Sequence, residues 1–161
     1  MKSVSKLGWL AYGLAATVIV LDQIAKAAIL NLLGTQAGSS LPVGGPFSLT
    51  LVWNQGVSFG LFRAEHDLVR WLLVAFSLIV AVLLSGWARR TERLAMGLGL
   101  GLVIGGAIGN AIDRIRFGAV VDFLDFQRLG FFPWVFNVAD AAITVGVVFL
   151  LLDSARKEAA A

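Results

Sequence analysis

The sequence predicts an all-α integral membrane protein: four transmembrane helices, with a small extracytoplasmic β-sheet and an interfacial helical segment in the connections. Two compositional facts and one pattern carry this expectation. Hydrophobic residues make up 58% of the 161-residue chain, against roughly 45–50% in an average soluble domain. Charged residues fall to 14%, against roughly 25% in such a domain, too few for a surface that faces water on every side. The apolar residues are also gathered into long runs, and a bilayer core about 30 Å thick needs about 20 of them per helix. The length is that of a single membrane domain over 1–161.

Helix one is expected over about 7–33. Leu7–Leu21 is uncharged, and the helix continues past Asp22 and Lys26, whose i,i+4 spacing sets them on one face for mutual neutralisation. Helix two is expected over about 68–88, around the uncharged run Trp71–Ala88. Helix three, about 94–112, carries Gly97, Gly101, Gly105 and Gly109. That stripe suits close approach of a neighbouring helix, because packing must replace the missing hydrophobic drive in lipid. Helix four, about 135–152, joins the short run Ala141–Leu152 back across Asp140 to Val135.

The connections 34–67 and 113–134 are expected on the extracytoplasmic side. In the first, breakers at Pro42, Gly44, Gly45 and Pro46 precede Phe47-Ser-Leu-Thr-Leu, whose period of two reads as a strand. Phe59, Leu61 and Phe62 then lead toward Leu68, Val69 and Trp71 as the interfacial segment. The second connection ends in Phe131, Phe132, Trp134 and Phe136, as expected at a headgroup boundary. Lys2, Lys6, Arg89, Arg90, Arg93, Arg156 and Lys157 fall on one side of this arrangement, and Arg63, Arg70, Arg114, Arg116 and Arg128 on the other. The bias puts both termini in the cytoplasm. The N-terminal lysines and apolar run resemble a signal peptide but outrun one, and are read as an uncleaved anchor.

Several chemistries are excluded at once. The chain has no cysteine and one histidine, which removes disulfides, thiolate nucleophiles and multi-histidine metal centres. No P-loop or zincin motif is present, so no metal, cofactor or nucleic-acid partner is expected.

A charged residue deep in a bilayer costs roughly 2.5–3.5 kcal/mol on insertion scales, which makes such residues functional candidates. With helices one and three running outward and helix four inward, Asp22, Asn110, Asp113, Arg114, Asn137 and Asp140 come to one depth, beside Asp122 in the second connection. Asp113 is read as structural support and Arg114 as a substrate contact. Asn54, Asn110 and Asn137 are equally suited to capping or cross-linking helices. Asp125, Asp153, Glu158, Glu65, His66 and Asp67 are expected to be solvated. Asp122 and Asp140 differ from the rest, since both are flanked by apolar residues with no basic residue within five positions. Apolar surroundings favour the uncharged carboxyl, and two carboxylates brought close cannot both ionise easily. A shared proton makes one a base and the other an acid. Spacing leaves open whether the two meet. A Ser-Lys dyad using Lys26 with Ser39, Ser40 or Ser58 also stays open, and a Ser-His-Asp triad would need His66. A small proton-coupled transporter or a non-catalytic assembly factor are the alternative functions.

Five blocks now stand in order: Leu21-Asp22-Gln23 with Lys26; Asn54-Gln55-Gly56 through Phe59-Gly60; Gly109-Asn110 with Asp113-Arg114; Val120-Val121-Asp122-Phe123; and Phe136-Asn137-Val138-Ala139-Asp140. Together they resemble lipoprotein signal peptidase, or signal peptidase II, the bacterial membrane aspartyl peptidase, along nearly the whole chain. The resemblance implies a four-helix enzyme of the cell inner membrane, with a periplasmic sheet and an interfacial helix. It implies removal of the signal peptide from prolipoproteins just before a diacylglyceryl-modified cysteine. It further implies that Asp122 and Asp140 are the catalytic pair, that Asn54, Asn110, Arg114 and Asn137 line the substrate site, and that Asp22 and Lys26 support it. The expected partners are the lipid-modified prolipoprotein and membrane lipids, with the enzyme a monomer. Two departures lie in loops: Val57-Ser58 replaces a more usual small pair, and Pro133 stands one residue early.

Overall fold

A computed structural model describes residues 3–56, 66–131 and 133–159. The segment 57–65, with Phe59, Leu61 and Phe62 of the expected interfacial segment, lies outside the described residues, as does Phe132. The elements run α1 (Lys6–Leu33), β1 (Ser40–Gly44), β2 (Phe47–Asn54), α2 (His66–Ala88), α3 (Leu94–Phe117), β3 (Val120–Asp125), a 3-10 turn at Gln127–Leu129, β4 (Val135–Phe136) and α4 (Val138–Ala159).

All four helices contain a window long and apolar enough to cross a membrane. Their outward faces are apolar: Phe76 is 65% exposed, Val82 71% and Leu151 65%. Water would not tolerate such continuous belts, whereas lipid requires them. The central helix is α3, whose most apolar window is 67% buried inside the protein, against 28% or less in the others. The glycine stripe is what admits α1. A Cβ at Gly101 would lie 2.6 Å from the Ala11 carbonyl oxygen, and one at Gly105 2.8 Å from that of Ala15. A second set of glycines, Gly99 and Gly146, opens the contact with α4, where a Cβ at either would meet the other's carbonyl oxygen at 2.8 Å.

The expected small sheet accompanies the helices. Four strands form one antiparallel sheet in the order β1-β2-β3-β4, and it draws on both long connections. Pro42 lies inside β1, which is tolerated because β1 is an edge strand. β2 pairs with β3 so that Val52 faces Asp122 and Asn54 faces Val120. Leu51, Val121 and Phe123 of these strands pack on Ile29 of α1, joining sheet to helix end. Three helix boundaries differ from expectation, one being the end of α4 at Ala159 rather than about 152. The second connection, expected from 113, begins only after Phe117, and α3 ends at Gly118 in the left-handed conformation (φ 81°), the usual glycine stop. Residues 135–136, expected as the start of helix four, form β4, and α4 starts at Val138.

Candidate active site

The end of the bundle nearest the sheet holds a continuous polar network, and each member has an identifiable local reason to be there. Asp122 stands on β3 and is 1% exposed. Its Oδ1 accepts from Asn137 Nδ2 at 2.6 Å and its Oδ2 from Asn54 Nδ2 at 2.8 Å. Asp140 occupies the first turn of α4, and its Oδ1 accepts from Asn110 Nδ2 at 2.7 Å.

Asn137 is the cap of α4. Its Oδ1 accepts from the Asp140 backbone N–H at 2.9 Å, while Asp140 Oδ2 accepts from the Asn137 backbone N–H at 3.3 Å. This reciprocal pair is a capping box, with Asn and Asp in place of the commoner Ser/Thr and Glu. The Asn137 amide also donates to Asn110 Oδ1 at 3.3 Å. Asn110 and Asn137 therefore link the two carboxylates. Asn54 is fixed in turn by a tight turn in which its Oδ1 accepts from Gly56 N–H at 2.8 Å. Gly56 has φ +81°, a conformation that L side chains rarely adopt.

Among the described residues, neither Asp122 nor Asp140 forms an ion pair. Burial, and then the negative charge of Asp140, push the Asp122 carboxyl up to about 6, against the opposing pull of the Asn54 and Asn137 bonds. A group so placed can hold a proton near neutral pH and exchange it with a neighbour. Beside Asp122 opens a cavity of about 340 Å³, lined in part by Asn54, Gln55, Gln127 and Trp134.

Behind this pair lies a second one. Lys26, 2% exposed, donates to Asp22 Oδ2 at 2.8 Å, Asp113 Oδ2 at 2.7 Å and Asn110 Oδ1 at 3.2 Å. Asp113 thus pairs with Lys26 rather than with its neighbour Arg114. Each of these carboxylates also holds a backbone amide. Asp22 Oδ1 accepts from Ala139 N–H at 3.0 Å, and Asp113 Oδ2 from Val121 N–H at 3.1 Å. Ala139 precedes Asp140 and Val121 precedes Asp122, so the Lys26 cluster fixes the backbone beside both. Lys26 is thus engaged by two carboxylates, and Ser58 lies outside the described residues.

The Arg114 guanidinium lies within Coulombic reach of Asp140 and Asp122. Its Nη1 donates to the Asn110 carbonyl at 3.4 Å, and its buried Nε has no partner among the described residues. Asn54, Asn110, Asn137, Asp122, Asp140, Asp22, Lys26 and Asp113 are joined in one network, with Arg114 at its edge. Two expectations of solvation fail. Asp125 is buried, accepting from Thr50 Oγ1 at 2.7 Å and from Gln127 N–H at 2.8 Å. Asp153 is buried beside Arg93 at 2.8 Å. Gln23 carries more than its place in a motif suggested. Its Nε2 donates to Asp113 Oδ1 at 2.8 Å and its Oε1 accepts from Arg116 at 3.1 Å. Nothing in its spacing signalled this, because a neutral amide on a lipid-facing helix leaves no charge pattern.

Comparison with known proteins bears on the chain as a whole. The family described as signal peptidase (SPase) II matches residues 14–156. A lipoprotein signal peptidase of Caulobacter vibrioides is 54% identical over 157 residues, covering 97% of this chain and 92% of the relative. One of Methylobacterium radiotolerans is 47% identical over 150 residues, covering 88% and 84%. A solved structure of a bacterial membrane enzyme superposes with a TM-score of 0.79 at 25% identity, covering 98% of this chain and 94% of that one. With the match running along most of its length, the chain belongs to the signal peptidase II family, a family of peptidases.

Proposed function

We propose that this protein is an aspartyl endopeptidase that removes the signal peptide from diacylglyceryl-modified prolipoproteins, cutting just before the lipidated cysteine. The observation that carries the reading is the pair Asp122 and Asp140, linked by the amides of Asn110 and Asn137 with no cation bonded to either carboxylate among the described residues. In the proposed mechanism the pair shares one proton and binds one water. One carboxylate takes a proton from the water as it attacks the scissile carbonyl, while the protonated partner donates to the carbonyl oxygen. The tetrahedral intermediate then collapses as a proton passes to the leaving nitrogen. Asn54, Asn110, Asn137 and Arg114 line the substrate site in this reading, and Asp22, Lys26 and Asp113 hold it in shape.

The same reading makes the chain one multi-pass domain of the bacterial inner membrane, monomeric, with both termini cytoplasmic and the site near the outer leaflet. The basic residues around 2–6 and 89–93 support that orientation. It suits a substrate whose lipid lies in that leaflet and whose signal helix lies in the membrane.

The direct test is a gel-shift cleavage assay on lipidated prolipoprotein in detergent, with unlipidated substrate as control. Wild type should cleave only the lipidated form, and Asp122→Asn and Asp140→Asn should cleave neither. Cleavage by both variants would remove the dyad. Because the proposed chemistry draws on carboxylates alone, EDTA should leave the rate unchanged; a loss restored by zinc would overturn the mechanism.

A further inference from the structure

We propose that Arg70, on α2, is a positioning residue for substrate binding: it grips the last carbonyls of α3 and so sets where the Arg114 side chain points. The inference rests on the peptidase reading above and adds to it a residue that none of the five motif blocks contains.

The last carbonyls of a helix lack intrahelical partners. In α3 the Gly118 N–H returns to the Arg114 carbonyl at 3.1 Å. Arg70 adds two bonds: its Nε donates to the Arg114 carbonyl at 2.7 Å and its Nη2 to the Ile115 carbonyl at 2.9 Å. A guanidinium presenting two donors at once fixes geometry as well as adding energy, and a cation is favoured at the negative end of the helix dipole. Its other contacts are weaker. Asp67 is 3.7 Å away with a side chain 90% exposed, where an ion pair contributes little. The neighbouring Trp71 ring lies 4.9 Å below the guanidinium carbon.

The first carbonyl gripped belongs to Arg114 itself. Short hydrogen bonds do not aim the Arg114 guanidinium: it makes one long bond to Asn110 O at 3.4 Å, and its buried Nε has no partner among the described residues. The pull of Asp140 and Asp122 on it depends on where its backbone places it, and Arg70 holds that backbone. The remaining α2–α3 contact is largely apolar, and apolar contact in lipid fixes axial register poorly. At the opposite end of α2 the polar tie runs to α1 instead, from Tyr12 Oη to the Ser85 carbonyl at 2.7 Å. Arg70 is its counterpart at the site end.

The test compares kcat and KM on diacylglyceryl-modified prolipoprotein for wild type, Arg70→Gln, Arg70→Lys, Arg114→Gln and the Arg70→Gln/Arg114→Gln double variant, with Asp122→Asn as the inactive reference. Arg70→Gln should raise KM about five- to tenfold with kcat changed less than about twofold, the signature of lost binding rather than lost chemistry. Arg70→Lys, which keeps the charge but not the fork, should fall between. The double variant should be no worse than Arg114→Gln alone, since the two residues act through one element. A wild-type KM in Arg70→Gln, or losses that multiply in the double variant, would overturn the proposal. If Arg70→Gln does not fold in detergent, the KM of Arg70→Lys decides the matter in the same way. Cleavage by Asp122→Asn would instead strike the peptidase reading beneath it.

Discussion

Two pairs of carboxylates lie a few residues apart in this protein and are treated in opposite ways. Asp22 and Asp113 share a lysine, Lys26, that bonds both. Asp122 and Asp140 are linked by two asparagines, Asn137, which bonds both, and Asn110, which bonds Asp140 and Asn137. A buried ammonium between two carboxylates holds both in place, and each carboxylate also accepts from a backbone amide, Ala139 for Asp22 and Val121 for Asp113. Amides lend hydrogen bonds without charge, so the second pair is oriented but not neutralised, and a proton is the cheapest remedy. The difference teaches how one fold makes a strut and a reactive pair from the same side chain: the bridging group decides.

The comparison breaks most severely if the strut loses its cation. Lys26→Met would leave two buried carboxylates unpaired, a loss of about 3–5 kcal/mol by analogy with other buried pairs. Little folded protein should survive detergent extraction, as judged by size-exclusion chromatography, and adding Asp22→Asn and Asp113→Asn should restore part of it. Next in size are the reverse changes. Asp122→Asn or Asp140→Asn should lower cleavage by at least about a thousandfold, in the range expected for losing an acid–base partner, while the thermal unfolding midpoint stays within a few degrees of wild type. A large fall in that midpoint would show that the second pair is a strut as well.

Gly109→Ala probes the spacing between the pairs. A Cβ there would lie 2.7 Å from Asp22 Oδ2 and 3.4 Å from the Ala139 Cβ. Overpacking of this kind costs about 1–3 kcal/mol, and pushing Asp22 away should loosen Ala139 beside Asp140. Thermal unfolding and kcat should both fall, and an unchanged kcat would separate the strut from the site. The smallest effect is a shift in pH dependence. With the Asp122 carboxyl raised to about 6, the singly protonated pair is populated below that pH and lost as pH rises through it. The alkaline limb of kcat/KM should reflect this, as a property of the pair. Asn54→Ala removes a bond that favours the ionised form. The limb should therefore move to higher pH, and a shift to lower pH would contradict the assignment.

The membrane-crossing helices were legible because lipid permits few alternatives: a polar backbone must be satisfied within its own segment, so apolar runs such as Trp71–Ala88 announce themselves. The sheet was half legible. β2 alternates and was read as a strand, but β3, Val120–Asp125, is almost wholly buried along its length and shows no period of two. Its neighbour β4 has only two residues, below what any pattern can report. The extension of α3 was hidden by Asp113, Arg114 and Arg116, charges that end an apolar run without ending a helix. Gly118 was the readable stop. In the site, apolar flanks singled out Asp122 and Asp140, but they could not show that asparagines join them. The capping box at Asn137 and Asp140 was available from the spacing alone. Gln23 and Arg70 were not, because each acts through a backbone or a neighbour distant in sequence.

The cap of α4 has a consequence for how the molecule comes into being. Asn137 begins the last helix and at the same time carries the bridge between Asp122 and Asp140. In chain order this helix follows α1, α3 and all three members of the Lys26 cluster. The proposed reaction centre therefore needs α4 docked, with the Ala139 N–H on Asp22, before its two carboxylates stand together. Until that contact forms, the two aspartates of the proposed dyad sit on separate stretches of chain, and neither has its partner.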